Sequence, residues 1–377
     1  MVPAGAIVFL PREGREQPLL LQKLLFQPGA VWLAQALLAH GFDSFLVVCH
    51  EDDRVAVTPC FPKGTVCVTE GSADAAGQLA AFLSARKGEV AVVTRPILIH
   101  FPGTAGAGEG LPLIDAGTLA KALDSGADFA GALRQSGRGE GPAAVTLSDE
   151  PMADNDALAR RLSAARLRTM GVRLVDSERV YVDPTVTVGA GTVLLPGVIL
   201  RGNTVIGQNC EIGPDTMITD CTLGSGVSVN ASQLNESTVG DGAKIGPFAY
   251  VRPHCHVGRD VKVGDFVELK NSTIGPGTKI SHLTYVGDSD VGGRVNFGCG
   301  TVTVNYDGTT KFRTTIGDGA FIGCNTNLVA PVKVGAGAYT AAGSTITDDV
   351  PDDSLAIARS VQVNKRQWVL KRKKRNS

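Results

Sequence analysis

The sequence predicts an α/β N-terminal domain followed by a parallel β-helix of hexapeptide repeats. Three observations predict it. From Val188 onward an aliphatic residue returns at almost every sixth position, and Val188, Leu194, Leu200, Ile206, Ile212 and Ile218 run without a slip. A small residue, most often Gly, usually follows it, as at Gly189, Gly207 and Gly213. Before residue 150, short apolar runs alternate with segments of helical spacing. A period of six suits neither a helix nor an ordinary sheet. It suits a coil in which each hexad makes one short strand and one tight turn. The aliphatic residue points inward and the small residue lets the chain bend. Three hexads then close one triangular coil.

Each element follows in order. Ala6–Leu10, Ser44–Cys49, Gly64–Val68 and Glu89–Val93 read as buried parallel strands. Ala30–His40, Ala73–Ala85 and Ala116–Leu123 carry helical spacing. Alternation of the two suggests a doubly wound sheet over residues 1–153. The Gly-rich stretches 101–112 and 135–142 read as loops. Asp154–Met170 reads as an amphipathic helix inside a linker, 154–178. The β-helix is expected over 179–350 and a tail that leaves the coil over 351–377. Within the β-helix the count resumes at Leu223 and Val229, passes what reads as a four-residue insertion, and continues from Val239. A larger interruption, residues 304–315, is polar, and a polar loop leaving a rigid column is where function tends to sit.

Composition narrows the function classes. A chain of 377 residues can bury two cores. Aromatics at 5% and 46 glycines suit a slim interior lined by Val, Ile and Leu. The net charge of −1 gives no general signal for nucleic acid. A basic tail, Lys365, Arg366 and Lys371 to Arg375, reads as a solvated terminus or as a clamp on a phosphorylated ligand. Eight cysteines without a CxxC pair read as reduced thiols, so a cytoplasmic location is expected. The Ala6–Leu10 run is too short for a signal peptide or a membrane helix, and no membrane association is expected.

Around the 304–315 loop the motifs become specific. They are Tyr250-Val-Arg-Pro, Phe266-Val-Glu-Leu-Lys-Asn, Ser281-His-Leu-Thr-Tyr-Val-Gly-Asp, Val295-Asn-Phe-Gly-Cys-Gly-Thr, Asn305-Tyr-Asp-Gly and Leu328-Val-Ala-Pro-Val. Together, and in this order, they closely resemble the acetyltransferase half of one family. It is the bifunctional bacterial N-acetylglucosamine-1-phosphate uridyltransferase/glucosamine-1-phosphate N-acetyltransferase. The resemblance covers roughly residues 155–370 and is strongest over 245–360. It implies a left-handed β-helix, a homotrimer with active sites between subunits, glucosamine 1-phosphate as acceptor and acetyl-CoA as co-substrate. The product, N-acetylglucosamine 1-phosphate, would supply the UDP-N-acetylglucosamine pathway and hence peptidoglycan precursors.

The residue types fit that chemistry. Acetyl transfer from a thioester needs a neutral amine, and an imidazole is suited to take its proton. The resemblance makes His282 the general base, with Glu268 as the acid that orients it. It places Arg252 and Lys270 at the sugar phosphate and Tyr285, Asn296 and Lys311 along the sugar. Arg252 and Lys270 are eighteen residues apart, one full coil, so they should stack on one face. Asn305 and Tyr306 would meet the acetyl-CoA arm, the Asn305 amide as a donor to the developing oxyanion. Cys299, Cys324 and Ala342 would line the CoA channel and Arg359 would bind CoA phosphates. The family usually has Ala and Ser where Cys299 and Cys324 stand. His254 and His256 alternate along a strand, which raises a metal site with His282, but none is expected.

The N-terminal half departs from the family. Where the family has a Gly-rich phosphate loop followed by Pro-Lys, this chain reads Ile7-Val-Phe-Leu-Pro-Arg-Glu-Gly-Arg-Glu-Gln-Pro-Leu. Pro11 removes an amide donor, Glu13 adds negative charge and Leu19 replaces the Lys. Only Gly14 and Arg15 remain. Thr94-Arg95-Pro96-Ile97 stands where a magnesium-binding Asp is expected, so no Mg²⁺ site is expected. Asn155 reads as a relic of the second metal ligand. A shortened, degenerate nucleotidyltransferase-like domain without uridyltransferase activity is therefore expected. Two other readings stay open: an acyltransferase for another amino sugar phosphate, and a non-catalytic trimeric scaffold or regulator.

Overall fold

The computed structural model describes residues 4–125, 129, 132, 133, 139–149 and 152–373. Lys374 and Arg375 of the basic tail and part of the 135–142 stretch lie outside the described residues. The chain divides into two compact units, Met1–Asn235 and Glu236–Ser377.

The first unit opens with a seven-stranded sheet. Its order is Val66–Thr69, Phe42–Cys49, Ala4–Leu10, Glu89–Val93, Glu109–Asp115, Gly139–Thr146, Ile97–Ile99. The first four strands are parallel, as the alternating pattern predicts. The last three join antiparallel. Two of those lie wholly or partly in stretches read from sequence as Gly-rich loops. Their glycines pack closely: a Cβ on Gly108 would meet the Ala144 carbonyl oxygen at 2.4 Å, and one on Gly141 the Leu111 carbonyl oxygen at 2.8 Å. Close strand pairing, not a loop, explains glycine there. Two buried clusters flank the sheet, one around Trp32, Leu33 and Phe45, the other around Ile7, Leu46 and Leu83.

The helix Met152–Thr169 docks on the first coils within this unit. Arg166 donates to the carbonyl oxygens of Pro184, Asp183 and Val186 at 2.6, 3.3 and 3.1 Å, and Ser163 donates to Val182 O at 3.0 Å. Burial pushes the Arg166 guanidinium down to about 10. Arg173–Leu174 already pairs with Val193–Leu194, and Leu355–Ala356 pairs with Tyr339–Thr340, so repeat strands occur outside 179–350 at both ends.

In both units the repeats form a left-handed β-helix of hexapeptide coils. Each strand pairs in parallel with the strand one coil later, for example Glu268–Lys270 with Tyr285–Gly287. The repeating aliphatic positions point inward: Leu194, Leu200, Ile212, Val263, Leu269, Ile280 and Val286 are fully buried. Each such side chain contributes about 1.5–3 kcal/mol of burial, so one polar substitution at Ile280 would open the column.

The slips in the six-count have a structural cause. Leu234 is fully buried in the strand Gln233–Asn235, so Val229 to Val239 is two five-residue steps and not an insertion. The sequence pattern missed this because Leu234 keeps neither distance of six. Ile218 to Leu223, Leu269 to Ile274 and Val286 to Val291 are also five-residue steps. Their corners hold Asp220, Asn271 and Asp288 at φ of 51°, 45° and 48°. Asp and Asn tolerate this left-handed conformation better than other side chains.

Candidate functional site

The second unit presents three faces. One carries Lys262–Asp265, Lys279–His282 and Asn296–Phe297. The next carries Tyr250–Val251, Glu268–Lys270, Tyr285–Gly287 and Val302–Val304. A corner separates them, and the predicted site residues fall into three groups around it.

The first group is cationic. Tyr250 pairs with Glu268 and Val251 with Leu269, which stacks Arg252 beside Lys270 on successive coils as the eighteen-residue spacing requires. Arg252 donates to Glu268 Oε1 at 2.9 Å. Lys311 arrives from the polar loop. That loop is a small hairpin: Tyr306 bridges Lys311, and Phe312 N donates to Asn305 O at 2.9 Å. Asp307 fixes its tip, accepting from Thr310 N at 2.7 Å and Thr309 N at 2.8 Å, which holds its carboxyl below the usual range. The Tyr306 hydroxyl donates to Gly308 O at 2.5 Å. Arg313 pins the returning strand through Asp290 and Asn271 O. Lys311 then faces Lys270. Lys311 is held below its ordinary value because its neutral amine can accept from the Lys270 ammonium and because the charges of Lys270 and Arg252 repel its own. Lys270 is raised by Lys311 and by the Asp288 carboxylate, 3.4 Å from its Nζ. Three cations crowded at one spot are stabilised by an anion.

Beside these cations lie Tyr285, Asn305 and Asp288. Asn305 Nδ2 donates to Asp288 Oδ2 at 2.5 Å and lies 3.4 Å from the Tyr285 hydroxyl. One N–H of the Asn305 amide, expected to serve an oxyanion, is thus engaged by a carboxylate in this structure. Gly287 makes room for Tyr285, whose hydroxyl would lie 2.2 Å from a Cβ there.

The second group holds the imidazole. His282 ends the strand Lys279–His282, half exposed, and its Nδ1 lies 2.5 Å from Asp265 Oδ1. This hydrogen bond holds the Asp265 carboxyl below its ordinary value. An ionised carboxylate only accepts, so Nδ1 is the donor in this bond and Nε2 is left outside it. Glu268 and His282, expected as partners, each hydrogen-bond another side chain in this structure. Glu268 starts a strand on the neighbouring face and accepts from Arg252. The His282 ring instead bonds Asp265. Asp265 was missed by motif matching, yet it stands seventeen residues, one short coil, before His282. Asn296, expected along the sugar with Tyr285 and Lys311, lies on the His282 face and pairs with Lys279.

The third group is a column on the corner. Asn325 N donates to Cys299 O at 2.7 Å and Gly343 N to Cys324 O at 2.8 Å, which stacks Cys299, Cys324 and Ala342 on successive turns. A Cβ on Gly298 would meet Cys324 N at 2.4 Å, so these turns touch directly. The Arg359 side chain reaches Gly343, at 3.8 Å from where its Cβ would be. Cys324 is exposed.

The two further histidines lie on the coil before Glu268 and His282. His254 sits in a turn at φ 66° and His256 Nδ1 bonds Thr238 Oγ1 at 2.9 Å. Among the described residues no group of three or more His, Cys, Asp or Glu side chains could hold a metal ion.

The N-terminal loop presents a contrast. Arg12 bonds Asp53 at 2.9 and 3.0 Å. Arg15 bonds Glu13 at 2.7 Å and Asp149 at 2.5 Å. Both guanidiniums are raised by these carboxylates, first Asp53 and first Glu13 respectively. Asn155 is buried and uses both ends of its amide on Ser148, at 3.0 Å and 2.7 Å. It clasps a turn, which gives this residue a structural role of its own.

Known proteins match this chain along its repeats. A family model described as "Bacterial transferase hexapeptide (six repeats)" matches residues 313–348, and one described as "GMPPB C-terminal domain" matches 177–288. The Bifunctional protein GlmU of Clostridium kluyveri is 52% identical over 202 residues, 54% of this chain and 44% of its own length. Along its repeats the chain is similar to GlmU. A second GlmU, from Geobacillus sp. strain WCH70, is 48% identical over 218 residues, 58% of this chain and 48% of its own. The chain thus spans about half the length of the GlmU proteins it matches. A solved UDP-N-acetylglucosamine acyltransferase from Campylobacter jejuni aligns at 20% identity and a TM-score of 0.30, over 50% of this chain and 72% of its own, too slight a likeness to carry an argument. Among the described residues no helix is long and apolar enough to cross a membrane.

Proposed function

We propose that this chain is an acetyl-CoA-dependent N-acetyltransferase acting on glucosamine 1-phosphate, and that it lacks uridyltransferase activity. The observation that carries the reading is the convergence of Arg252, Lys270 and Lys311 on one face of the β-helix, with more positive charge than their neighbours balance. A sugar phosphate dianion supplies the missing charge. Tyr285 lies beside them for the sugar. His282, with Nδ1 held by Asp265, offers Nε2 to the amine.

The amine nitrogen attacks the thioester carbonyl carbon and an N–C bond forms. His282 Nε2 takes a proton from the amine. The C–S bond breaks, and the proton passes to the CoA thiolate, leaving the free thiol and the amide. The column of Cys299, Cys324, Ala342 and Arg359 is the proposed track for the CoA arm, which the Asn305–Tyr306 hairpin would border.

The cations and Tyr285 stand on one face, while His282 and Asn296 stand on the next. A corner between them suits a site completed by a second copy, and we take the working form to be a homotrimer. We retain the division into a degenerate N-terminal domain, 1–153, a linker, a β-helix and a tail, with the β-helix widened from 179–350 to include the strands Arg173–Leu174 and Leu355–Ala356. In the N-terminal domain Arg12 and Arg15 are already neutralised, so little charge remains for nucleotide phosphates. A CoA-dependent enzyme of this kind would work in the cytoplasm and leave uridyl transfer to another protein.

Free-thiol release from acetyl-CoA tests the acceptor, measured with glucosamine 1-phosphate, glucosamine 6-phosphate and glucosamine. We expect thiol and a mass gain of one acetyl with glucosamine 1-phosphate, and at most slow turnover with the others. Preference for the 6-phosphate would overturn the acceptor. No turnover with any of the three would overturn the enzyme.

A further inference from the structure

Asp288 is the hub that joins the cations to the polar hairpin, and no motif assigned it a role. It is nearly buried, with its side chain 7% exposed. Its Oδ1 accepts from Asn271 Nδ2 at 2.6 Å, and its Oδ2 accepts from Asn305 Nδ2 at 2.5 Å and lies 3.4 Å from Lys270 Nζ. Burial pushes its carboxyl up, but the bonds from Asn271 and Asn305 and the charge of Lys270 outweigh this and the net direction is down. The corner itself does not require such an arrangement. Asp220 occupies the same kind of five-residue corner and accepts from the backbone of Asn203, at 2.8 Å on the surface. Asn271 occupies another at φ 45°. The convergence of three side-chain donors on Asp288 thus serves something other than the turn.

An ionised carboxylate has no hydrogen to give, so it dictates which end of the Asn305 carboxamide turns inward. The NH₂ end is fixed on Asp288 and the Oδ1 end remains for a ligand. We propose that Asp288 is a positioning residue that presents Asn305 Oδ1 as a hydrogen-bond acceptor to the amine of the acyl acceptor, while holding Lys270 at the phosphate. The role is the opposite of oxyanion donation: Asn305 orients the nucleophile. The proposal rests on the acetyl-transfer reading, but its geometric part can be tested without turnover.

The experiment uses the full-length protein and three variants: Asp288→Asn, Asn305→Asp and the double exchange Asp288→Asn/Asn305→Asp. Asn already fills the equivalent corner at 271, so the backbone accommodates Asp288→Asn. Each single change should lower kcat about 10²-fold by misplacing the acceptor atom. The double exchange reverses donor and acceptor. The amide introduced at position 288 donates to the carboxylate introduced at position 305, whose second oxygen still faces the amine. The double should recover to within about tenfold of the parent kcat, well above the product of the single losses. Thermal midpoints are measured alongside, and recovery of kcat must not merely track them. A double variant no better than the product of the singles would overturn the proposal.

The second readout is nuclear magnetic resonance of protein labelled with ¹⁵N in asparagine side chains, with the Asn305 signal assigned by its loss in Asn305→Asp. The Asn305 NH₂ protons should exchange slowly and shift on Asp288→Asn. Exchange at the rate of an exposed amide would overturn the proposal even if acetyl transfer stands. A protected amide in a protein inactive on glucosamine 1-phosphate would retain the Asp288–Asn305 geometry but overturn its assigned role in acetyl transfer.

Discussion

Two groups of basic residues in one chain have opposite fates. In the N-terminal loop, Arg12 and Arg15 are paired with Asp53, Glu13 and Asp149. On the β-helix, Arg252, Lys270 and Lys311 have two acidic contacts between them, Glu268 and Asp288, and Lys311 is depressed by its cationic neighbours. A cation matched by carboxylates in its own domain contributes to packing and has little attraction left for a ligand. A cluster carrying excess positive charge is strained until an anion arrives. The difference, more than the presence of basic residues, is the basis on which we propose that the β-helix half binds phosphate.

Five substitutions sharpen this contrast. The largest effect is expected for His282→Ala, which should lower kcat roughly 10²–10⁴-fold while inorganic phosphate still binds. Calorimetry and thiol release together check it. Next, Lys270→Met should raise KM for glucosamine 1-phosphate about 10–100-fold, because one charged hydrogen bond to the phosphate is lost. Arg12→Gln, by contrast, should leave KM unchanged and lower the thermal midpoint by leaving buried Asp53 unpaired.

Asp265→Asn should cost about tenfold in kcat, since the imidazole loses the carboxylate that holds its Nδ1 and fixes its orientation. Its pH–rate profile should move, which a purely structural defect would not cause. Smallest is Lys311→Arg. Lys311 loses its proton below the ordinary lysine value, and a dianion bound beside it should favour the charged form. Binding therefore takes up a proton, and affinity should fall as pH rises through the Lys311 value. Arg stays charged, so the variant should extend tight binding to higher pH with only a several-fold change near neutrality. KM measured across the alkaline range checks this.

Much of the fold was legible because the repeat is periodic. Every sixth residue faces a narrow interior, and nearly all those positions proved buried. The five-residue steps were misread at Leu234, because a short corner shifts the register without leaving a gap in hydrophobicity. The antiparallel strands Glu109–Asp115 and Gly139–Thr146 were missed because their glycines, which look like loop residues, are needed for close strand contact. In the site, the residues to which the resemblance gave a role were legible. Their partners were not, although Asp288 closes one of the quoted motifs. Asp265 and Asp288 are each one coil from the group they hold, so contact follows from coil length and not from adjacency. Glu268, chosen as the partner of His282 by resemblance, lies around a corner from it. Counting one coil length from each candidate would have found both carboxylates.

The most direct measurement places both halves in one reaction containing the full-length protein, acetyl-CoA, glucosamine 1-phosphate, UTP and Mg²⁺. Free thiol and pyrophosphate are followed together. Thiol should rise in step with N-acetylglucosamine 1-phosphate while pyrophosphate stays at the level of a protein-free control. Pyrophosphate formation, or the absence of thiol, would contradict the division between an unmatched cation cluster that works on the β-helix and a neutralised one that does not.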